Sequence, residues 1–366
     1  MRIFVAVVIC AVVGLPAWAS ASSVPGALVR TASRLSGLPA GGPVRTSFVA
    51  AARYAALLAR GRNRDYPASQ RRTDTRLDAL LGLTTRTATV PPTRAWYDAS
   101  ARRLFLQRKP AASRSAVVNE VVRALVDQNY GLRRLAGLRA RDRDRWLAAR
   151  GIVDGTAALA SGLRAGALHG TPLDRFMQLE ASVGTGPGRT LAAQLRSIGG
   201  NAAVASALRR FPQTTEQLLH IDKFLEREPA LPVHLPQTAG PATLESSETF
   251  GELDVRDLLQ AFGVPSSVAA AAGWGGGRLA LYADGNDRVA AIVLRWDSPE
   301  DALEWQTAVS QYVAAAFPRA TPGPCPPLDR CWSGVGEVAA GVFETKSVLA
   351  SGPGSAAVAA ALLRAG

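Results

Sequence analysis

A segment near the middle of the chain carries apolar residues at the spacing of one buried helix face. The segment runs from about Ser115 to Tyr130, and its positions i, i+3, i+4 and i+7 are Val118, Val121, Val122 and Leu125. Such a stripe must be covered by other elements, so the helix predicts a substantial core around it. A chain of 366 residues, 48% of them hydrophobic, is long enough for one large or two modest folded domains.

The first residues predict an export signal. A short positive start precedes an apolar run from Ile3 to Leu15, which is too short to span a bilayer comfortably. Small residues allow cleavage after Ala19 or after Ala21, so we assign residues 1–21 to a signal peptide. An uncleaved anchor is the less favoured alternative, because no charged stop follows the run. No later segment predicts a transmembrane helix, and the mature protein is expected to be secreted.

Export determines how the cysteines are interpreted. Cys10 lies inside the signal, which leaves Cys325 and Cys331 on either side of a Pro-Pro-Leu-Asp-Arg turn. In an oxidising compartment we expect a disulfide that closes this small loop. A redox-active or metal-binding pair is the alternative, and it is disfavoured because no histidine or third cysteine lies nearby.

The net charge of +13 comes almost entirely from arginine. A solvated basic surface is the simplest interpretation, and attraction to anionic polymers or lipids of the cell envelope is the functional alternative. Nucleic acid is not an expected partner. The basic clusters at residues 60–72 and 133–150 hold one aromatic residue each, Tyr66 and Trp146, which is too few for a stacking platform.

The part of the mature chain up to residue 236 predicts a mainly helical domain. Besides the central helix, we expect a strand, a turn and a strand over residues 95–106. A flexible loop is expected at Gly184–Gly188, which lacks the residues of a phosphate-binding loop. The other helices are predicted over residues 46–60, 73–81, 142–163, 191–198 and 202–211, with a further one that begins at Thr214.

The pattern changes after a proline-rich stretch, and we place a domain boundary near residues 236–245. Residues 245–366 predict a smaller α+β domain, in which one sheet has helices on one face. Its predicted elements are a hairpin over residues 278–296, a helix capped by Ser298 that runs to about Phe317, strand segments within 337–349 and a last helix over 355–364.

The central helix also carries Asn119, Glu120 and Arg123. A zinc peptidase needs two histidines four residues apart on one helix face, so that both imidazoles point at one metal. A glutamate beside the first histidine then activates a bound water. Here the glutamate is present, and Asn119 and Arg123 stand at the histidine positions. An isolated match of this kind is typical of a solvated helix face.

Further motifs in the same order make the chain resemble a family of exported bacterial proteins with a gluzincin-type H-E-x-x-H-A-L-x-D-Q helix. The resemblance covers about residues 37–317 and implies a zincin-like fold, a zinc cofactor and peptidase activity. The segments that carry it are Ala124-Leu125-x-Asp127-Gln128, Trp96-Tyr97-Asp98, Val153-Asp154-Gly155-Thr156-Ala157, Thr214–Leu225, Gly273-Trp274-Gly275-Gly276 and Trp296-Asp297.

The departures from the family pattern imply that the zinc site is degenerate. The first two ligand positions hold Asn119 and Arg123, and the third, a glutamate in the family, corresponds to Asp154. An amide oxygen is a poor zinc ligand, and a guanidinium places a permanent cation where the metal should sit. We therefore expect no metal cofactor. An ion pair of Arg123 with Asp154 or Glu120 is expected to fill the old metal pocket.

These observations favour a secreted, metallopeptidase-like protein that is not an active enzyme and that binds peptides or envelope components. Glu120 keeps the position of the general base but has no metal-bound water to activate. One alternative is a working metal-dependent peptidase with an atypical site built on Glu120 and Asp154. The other is a basic adhesion protein of the envelope, for which the ancestral fold is only a scaffold.

Overall fold

The computed structural model of the protein describes residues 23–83, 93–334 and 336–365. The predicted export signal, with Cys10 and both cleavage positions, lies outside the described residues. Within those three ranges, none of the helices has the length and hydropathy that a membrane crossing requires.

The described chain has a helical part followed by a part built on a large sheet. Helices α1 to α13 span Gly26–Ser36, Ala51–Asp65, Ala68–Leu80, Arg114–Tyr130, Leu138–Arg141, Arg143–Ser161, Pro172–Ala181, Arg189–Arg209, Thr215–Leu219, Ile221–Glu226, Glu252–Ala261, Pro299–Ala316 and Ser355–Arg364. Strands β1 to β11 span Thr46–Val49, Ala95–Asp98, Arg103–Gln107, Thr238–Ala239, Ala242–Thr249, Trp274–Asp284, Asp287–Trp296, Ala320–Cys325, Leu328–Gly334, Val338–Phe343 and Lys346–Ser351. The predicted α+β class is confirmed.

The helical part is organised around α4, as its apolar stripe predicted. Val121, Val122 and Leu125 are fully buried in a core that α1, α6 and α8 also line. Burying a side chain of this size stabilises the fold by about 1.5–3 kcal/mol. The two helices predicted over residues 191–198 and 202–211 are present as the two halves of α8, separated at Gly199 and Gly200, where the backbone is not helical.

The predicted helix over residues 46–60 is wrong at its start. Residues Thr46–Val49 form β1, which pairs in parallel with β3, and the helix begins only at Ala51. Phe48 and Val49 favour a strand, and the hydrogen bonds with β3 stabilise that strand although the local apolar spacing is helical. β3 lies between β1 and β2 in this small sheet, so β2 is an edge strand beside α4.

The large sheet is antiparallel, with the strand order β4-β5-β6-β7-β11-β10-β9-β8. The prediction of helices on one face only is wrong. In β7, Ile292 and Leu294 pack towards α12, and the alternating residues Ala291 and Val293 pack towards α13. Strands buried on both faces show nearly continuous apolar runs, and the segment Val289–Leu294 is such a run.

The disulfide predicted between Cys325 and Cys331 is present, six residues apart on the hairpin of β8 and β9. This hairpin forms one edge of the large sheet and was missing from the predicted elements. Two prolines in β8, Pro322 and Pro324, account for the weak strand pattern of its sequence, and they suit an edge strand.

The predicted boundary at residues 236–245 coincides with the start of the large sheet at Thr238. However, the core beneath the sheet also receives Leu77 and Leu81 from the region of α3, and Phe176 from α7 packs against it. The helical part and the sheet therefore share apolar contacts, and the division into two domains stays a prediction.

Candidate functional site

The helices α4 and α6 bring Glu120, Arg123 and Asp154 together. Arg123 Nε lies 3.4 Å from Asp154 Oδ1, and Arg123 Nη1 lies 3.9 Å from Glu120 Oε1. The arginine side chain is 27% exposed, against 12% for Glu120 and 17% for Asp154. The ion pair expected from charge complementarity is therefore present, and Arg123 contacts both carboxylates at once.

Arg150 lies one turn before Asp154 on α6 and completes this cluster. Its Nε donates a hydrogen bond to Asp154 Oδ2 at 3.2 Å, and its guanidinium lies 5.2 Å from the centre of the Trp146 ring. Two guanidiniums thus face two carboxylates, and the group is neutral overall. A dication placed among these four side chains would meet no surplus negative charge.

Electrostatics keep Arg123 charged in this setting. Burial acts to lower the pKa of its guanidinium, but Asp154 and Glu120 outweigh burial and raise it. Burial raises the pKa of Glu120, and Arg123 and the Tyr97 amide oppose that shift. Arg123 therefore lowers the proton affinity of Glu120 below that of a carboxylate that is equally buried but has no cation beside it.

Glu120 has a second structural partner on the edge strand β2. Its Oε2 accepts a hydrogen bond from the backbone N–H of Tyr97 at 2.8 Å, and the Tyr97 hydroxyl donates to Asp127 Oδ2 at 2.7 Å. Asp127 Oδ1 also accepts from the Leu132 backbone N–H beyond the end of α4. Three of the recognised motif residues therefore hold the helix, the edge strand and the following turn together.

Asn119 does not join the charged cluster. Its Nδ2 lies 3.4 Å from Ser161 Oγ, near the C-terminus of α6. Since Arg123 contacts the same helix at Asp154, positions 119 and 123 both face α6. The predicted site residues thus share one helix interface, but only Glu120, Arg123 and Asp154 meet.

The segment Gly184–Gly188 is not the flexible loop expected from its sequence. It forms a single turn of π-helix that packs against α6, and a side-chain carbon on Gly184 would lie only 2.2 Å from Asp154 Cβ. Likewise, Gly188 approaches the Gly151 carbonyl too closely for any Cβ. These glycines are required by close backbone packing, which fixes the face of α6 that carries Asp154.

The Thr214–Leu225 motif joins the helical part to the sheet. Thr215 donates its N–H and hydroxyl to the buried Asp144, and its hydroxyl oxygen accepts from the Leu253 backbone N–H at 3.1 Å. His220 Nε2 lies 2.8 Å from Glu252 Oε1 at the start of α11. These contacts connect α9 with α6 and α11.

Lys223 of the same motif lies among three carboxylates. Its ammonium is 3.3 Å from Glu216 Oε1 and 2.8 Å from Asp297 Oδ2, and it also contacts Glu228. Within the described residues, these three acids are the only group close enough together to hold a metal ion. Because the lysine already supplies the cation, we assign a structural role to the group.

A cavity of about 710 Å³ opens beside Arg150, between α3, α6, α7 and the strands β5 and β6. Sequence reasoning missed it, because its walls come from distant segments. Arg139 and Arg143 are almost fully buried in its wall. Arg143 contacts Asp254 and lies 2.7 Å from Glu180, and Arg139 lies 3.1 Å from Glu180 and 3.6 Å from Asp74.

The carboxylates of the cavity differ strongly in their environment. Burial acts to raise the pKa of Glu180, but Arg143 and Arg139 outweigh it and lower that pKa to about 2. The side chains of Asp78 and Glu248 form no hydrogen bond or ion pair within the described residues, and burial raises the pKa of each to about 7. Two carboxyl groups that are costly to ionise therefore line a cavity with room for a ligand.

Replacing Asp78 with asparagine is expected to stabilise the protein in a pH-dependent way. Asp78 has a higher pKa in the folded chain than in the unfolded chain, so its contribution to stability falls as the pH rises from about 4 to about 7 and stays low above that. D78N should therefore raise the free energy of unfolding by about 2 kcal/mol near pH 8 and leave it nearly unchanged near pH 4. Urea denaturation at both pH values measures the difference.

The exposed carboxyl Glu304 on α12 provides the control, because E304Q should change stability little at either pH. A D78N variant that is destabilised near pH 8 would show that the carboxylate has a stabilising partner, contrary to its environment in the cavity wall.

One family model matches part of the chain, and the match includes most of the large sheet but not the cluster around Arg123. Residues 241–347 match the model of a family described as a domain of unknown function (DUF8575). The matched segment runs from β5 into β11, which is less than a third of the chain, and it excludes α4 and α6. No curated protein and no solved structure matches the chain. The zincin-like assignment stays a prediction.

Proposed function

We propose that the protein is a secreted, metallopeptidase-like binding protein without peptidase activity. The observation that carries the proposal is the position of Arg123, whose guanidinium contacts both Glu120 and Asp154. In a zinc peptidase these positions would hold a metal ligand, the general base and a second ligand. A permanent cation at their centre removes both the affinity for Zn²⁺ and the activated water.

A location outside the cytoplasm is supported by the predicted export signal and by the disulfide of Cys325 and Cys331, since disulfides persist in oxidising compartments. The cavity beside the cluster supports a binding role, because its volume lies within the range of ligand sites. The basic character of the chain adds attraction to anionic components of the cell envelope.

Purified mature protein should not cleave casein or a mixed peptide library, whether or not a chelator is present. In equilibrium dialysis, the protein should retain some peptides of the same library, and these peptides should be intact. Cleavage that stops on addition of the chelator would instead establish an active metal-dependent peptidase with an atypical site. An E120Q variant provides the matched control, because it would abolish cleavage of that kind.

A further inference from the structure

The cavity between α3, α6, α7, β5 and β6 has an apolar floor and a charged wall. Its floor is formed by buried residues of α3, α11 and β6, of the segment after α3 and of the link between β5 and α11: Leu77, Leu81, Leu83, Phe250, Leu258 and Leu279. A volume of about 710 Å³ accommodates a small organic molecule or one to two side chains of a peptide. Such a floor favours a ligand with an apolar body.

The wall carries arginines and acids in equal number. The arginines are Arg62, Arg71, Arg139, Arg143 and Arg150, and the acids are Asp65, Asp74, Asp78, Glu180 and Glu248. Arg139 and Arg143 are the buried cations, and each already contacts two carboxylates. In a chain with a net charge of +13, this wall is much less basic than the chain as a whole.

Asp78 and Glu248 are the members of this set that lack a partner. The side chain of neither forms a hydrogen bond or an ion pair in the part of the chain that the structure describes, whereas Asp65, Asp74 and Glu180 all contact arginines. Partly buried carboxylates without a hydrogen-bond partner lose hydration, and at both residues this loss outweighs the attraction of Arg143 and Arg139. A cationic group in the cavity would remove that cost.

The arginines nearer the mouth do not make the cavity a site for anions. Arg150 is bound to Asp154, and Arg71 donates to the backbone carbonyl of Tyr66. Arg139 stacks on the Tyr66 ring at 4.1 Å and on the Trp146 ring at 4.8 Å. Because these guanidiniums already have acceptors or aromatic partners, an anion would have to compete with each of them. Arg62 also lines the cavity, but it is exposed, so that water and salt screen its charge.

We propose that this cavity binds an organic cation, an amine or guanidinium on an apolar body, with Asp78 and Glu248 as its carboxylate partners. The apolar body packs on the leucine floor, and the cation forms charge-assisted hydrogen bonds with the two acids. The source of the cation is either a free amine or the basic side chain of a peptide. The proposal does not depend on the loss of zinc at Arg123, since the two groups of residues are distinct.

Titration calorimetry on the mature protein tests the proposal with three ligands that share one body: 4-phenylbutylamine, 4-phenylbutanol and 4-phenylbutyrate. The amine should bind at least about tenfold more tightly than the alcohol or the acid. D78N/E248Q should weaken amine binding by at least about tenfold, whereas the exposed control E304Q should leave it unchanged. Thermal unfolding followed by circular dichroism verifies that each variant is folded.

A second arm separates the two sources of the cation. A lysine-containing hexapeptide that binds more tightly than its Nε-acetylated form, with the same dependence on Asp78 and Glu248, identifies a peptide side chain. Stronger binding of the free amine than of the peptide identifies a small molecule.

Three outcomes would each overturn the proposal: equal affinity for the amine and the carboxylate ligand, unchanged amine affinity in folded D78N/E248Q, or no amine binding at about 5 mM.

Discussion

Replacing Asn119, Arg123 and Asp154 with histidine, histidine and glutamate is expected to give the protein one tightly bound zinc ion per chain. Positions 119 and 123 lie one helical turn apart on α4, and both face α6, where Asp154 is placed. The triple change supplies two imidazoles and a carboxylate while removing the cation that opposes a metal. We expect about one equivalent of zinc after dialysis, with a dissociation constant below about 1 µM.

Two further variants make the outcome interpretable. N119Q/R123Q/D154E removes the arginine without supplying imidazoles and should bind less than about 0.1 equivalent of zinc. N119H/R123H keeps Asp154, which avoids lengthening the side chain beside Gly184, where space is restricted. If neither histidine variant binds zinc although both are folded, the helix is not a degenerate metal-binding helix, and the resemblance to zinc peptidases fails at its main point.

Truncating Arg143 to alanine is expected to cost more stability than any other single change considered for this protein. The arginine is buried and contacts Asp254 on α11 and Glu180 on α7, so it joins the helical part to the sheet. Its loss leaves the buried Asp254 without a counter-charge and leaves Glu180 with Arg139 alone. Removing one partner of a buried ion pair typically lowers the free energy of unfolding by about 3–5 kcal/mol.

Arg145 lies two residues away on the same helix but is exposed, so R145A controls for a general effect on α6 and should change the free energy of unfolding by less than about 0.5 kcal/mol. R143M/E180Q/D254N, which removes the charges together, should recover most of the loss. A cost below about 1 kcal/mol for R143A in chemical denaturation would contradict the role assigned to this arginine.

Local patterns were sufficient to predict the elements that depend on local chemistry. The stripe from Val118 to Leu125 predicted α4, and the side chain of Ser298 accepts from the Asp301 backbone N–H at the start of α12, as its capping pattern indicated. The pairing of Cys325 with Cys331 followed from their spacing and the expected compartment. In each case the determining contacts lie within a few residues along the chain.

Elements that depend on distant partners were predicted poorly. Strand β1 exists because it pairs with β3, which lies more than fifty residues away, and no local pattern encodes that pairing. The turn at Gly184–Gly188 is ordered because α6 offers the glycines Gly151 and Gly155 for close contact. Helix α13 covers the second face of the large sheet. The continuous apolar run in β7 indicates a strand that is buried on both faces, but the prediction placed helices on one face only.

The same distinction applies to the site. Charge complementarity was enough to predict that Arg123 meets Asp154 or Glu120, because the family pattern already suggested that these positions lie together, and Arg123 contacts both. The same reasoning did not predict the contact of Arg150 with Asp154, which lies four residues further along α6. The cavity walls combine α3, α6, α7 and β5, so only the folded chain brings Asp78 and Glu248 to one surface.

A crystal structure of the mature protein grown with excess zinc chloride, with anomalous data collected at the zinc absorption edge, tests the central claim most directly. We predict no anomalous peak between Glu120 and Asp154, and density for the Arg123 guanidinium in contact with both carboxylates. A strong anomalous peak within coordination distance of Glu120 and Asp154, about 2.0–2.2 Å, with Arg123 turned away, would contradict the account.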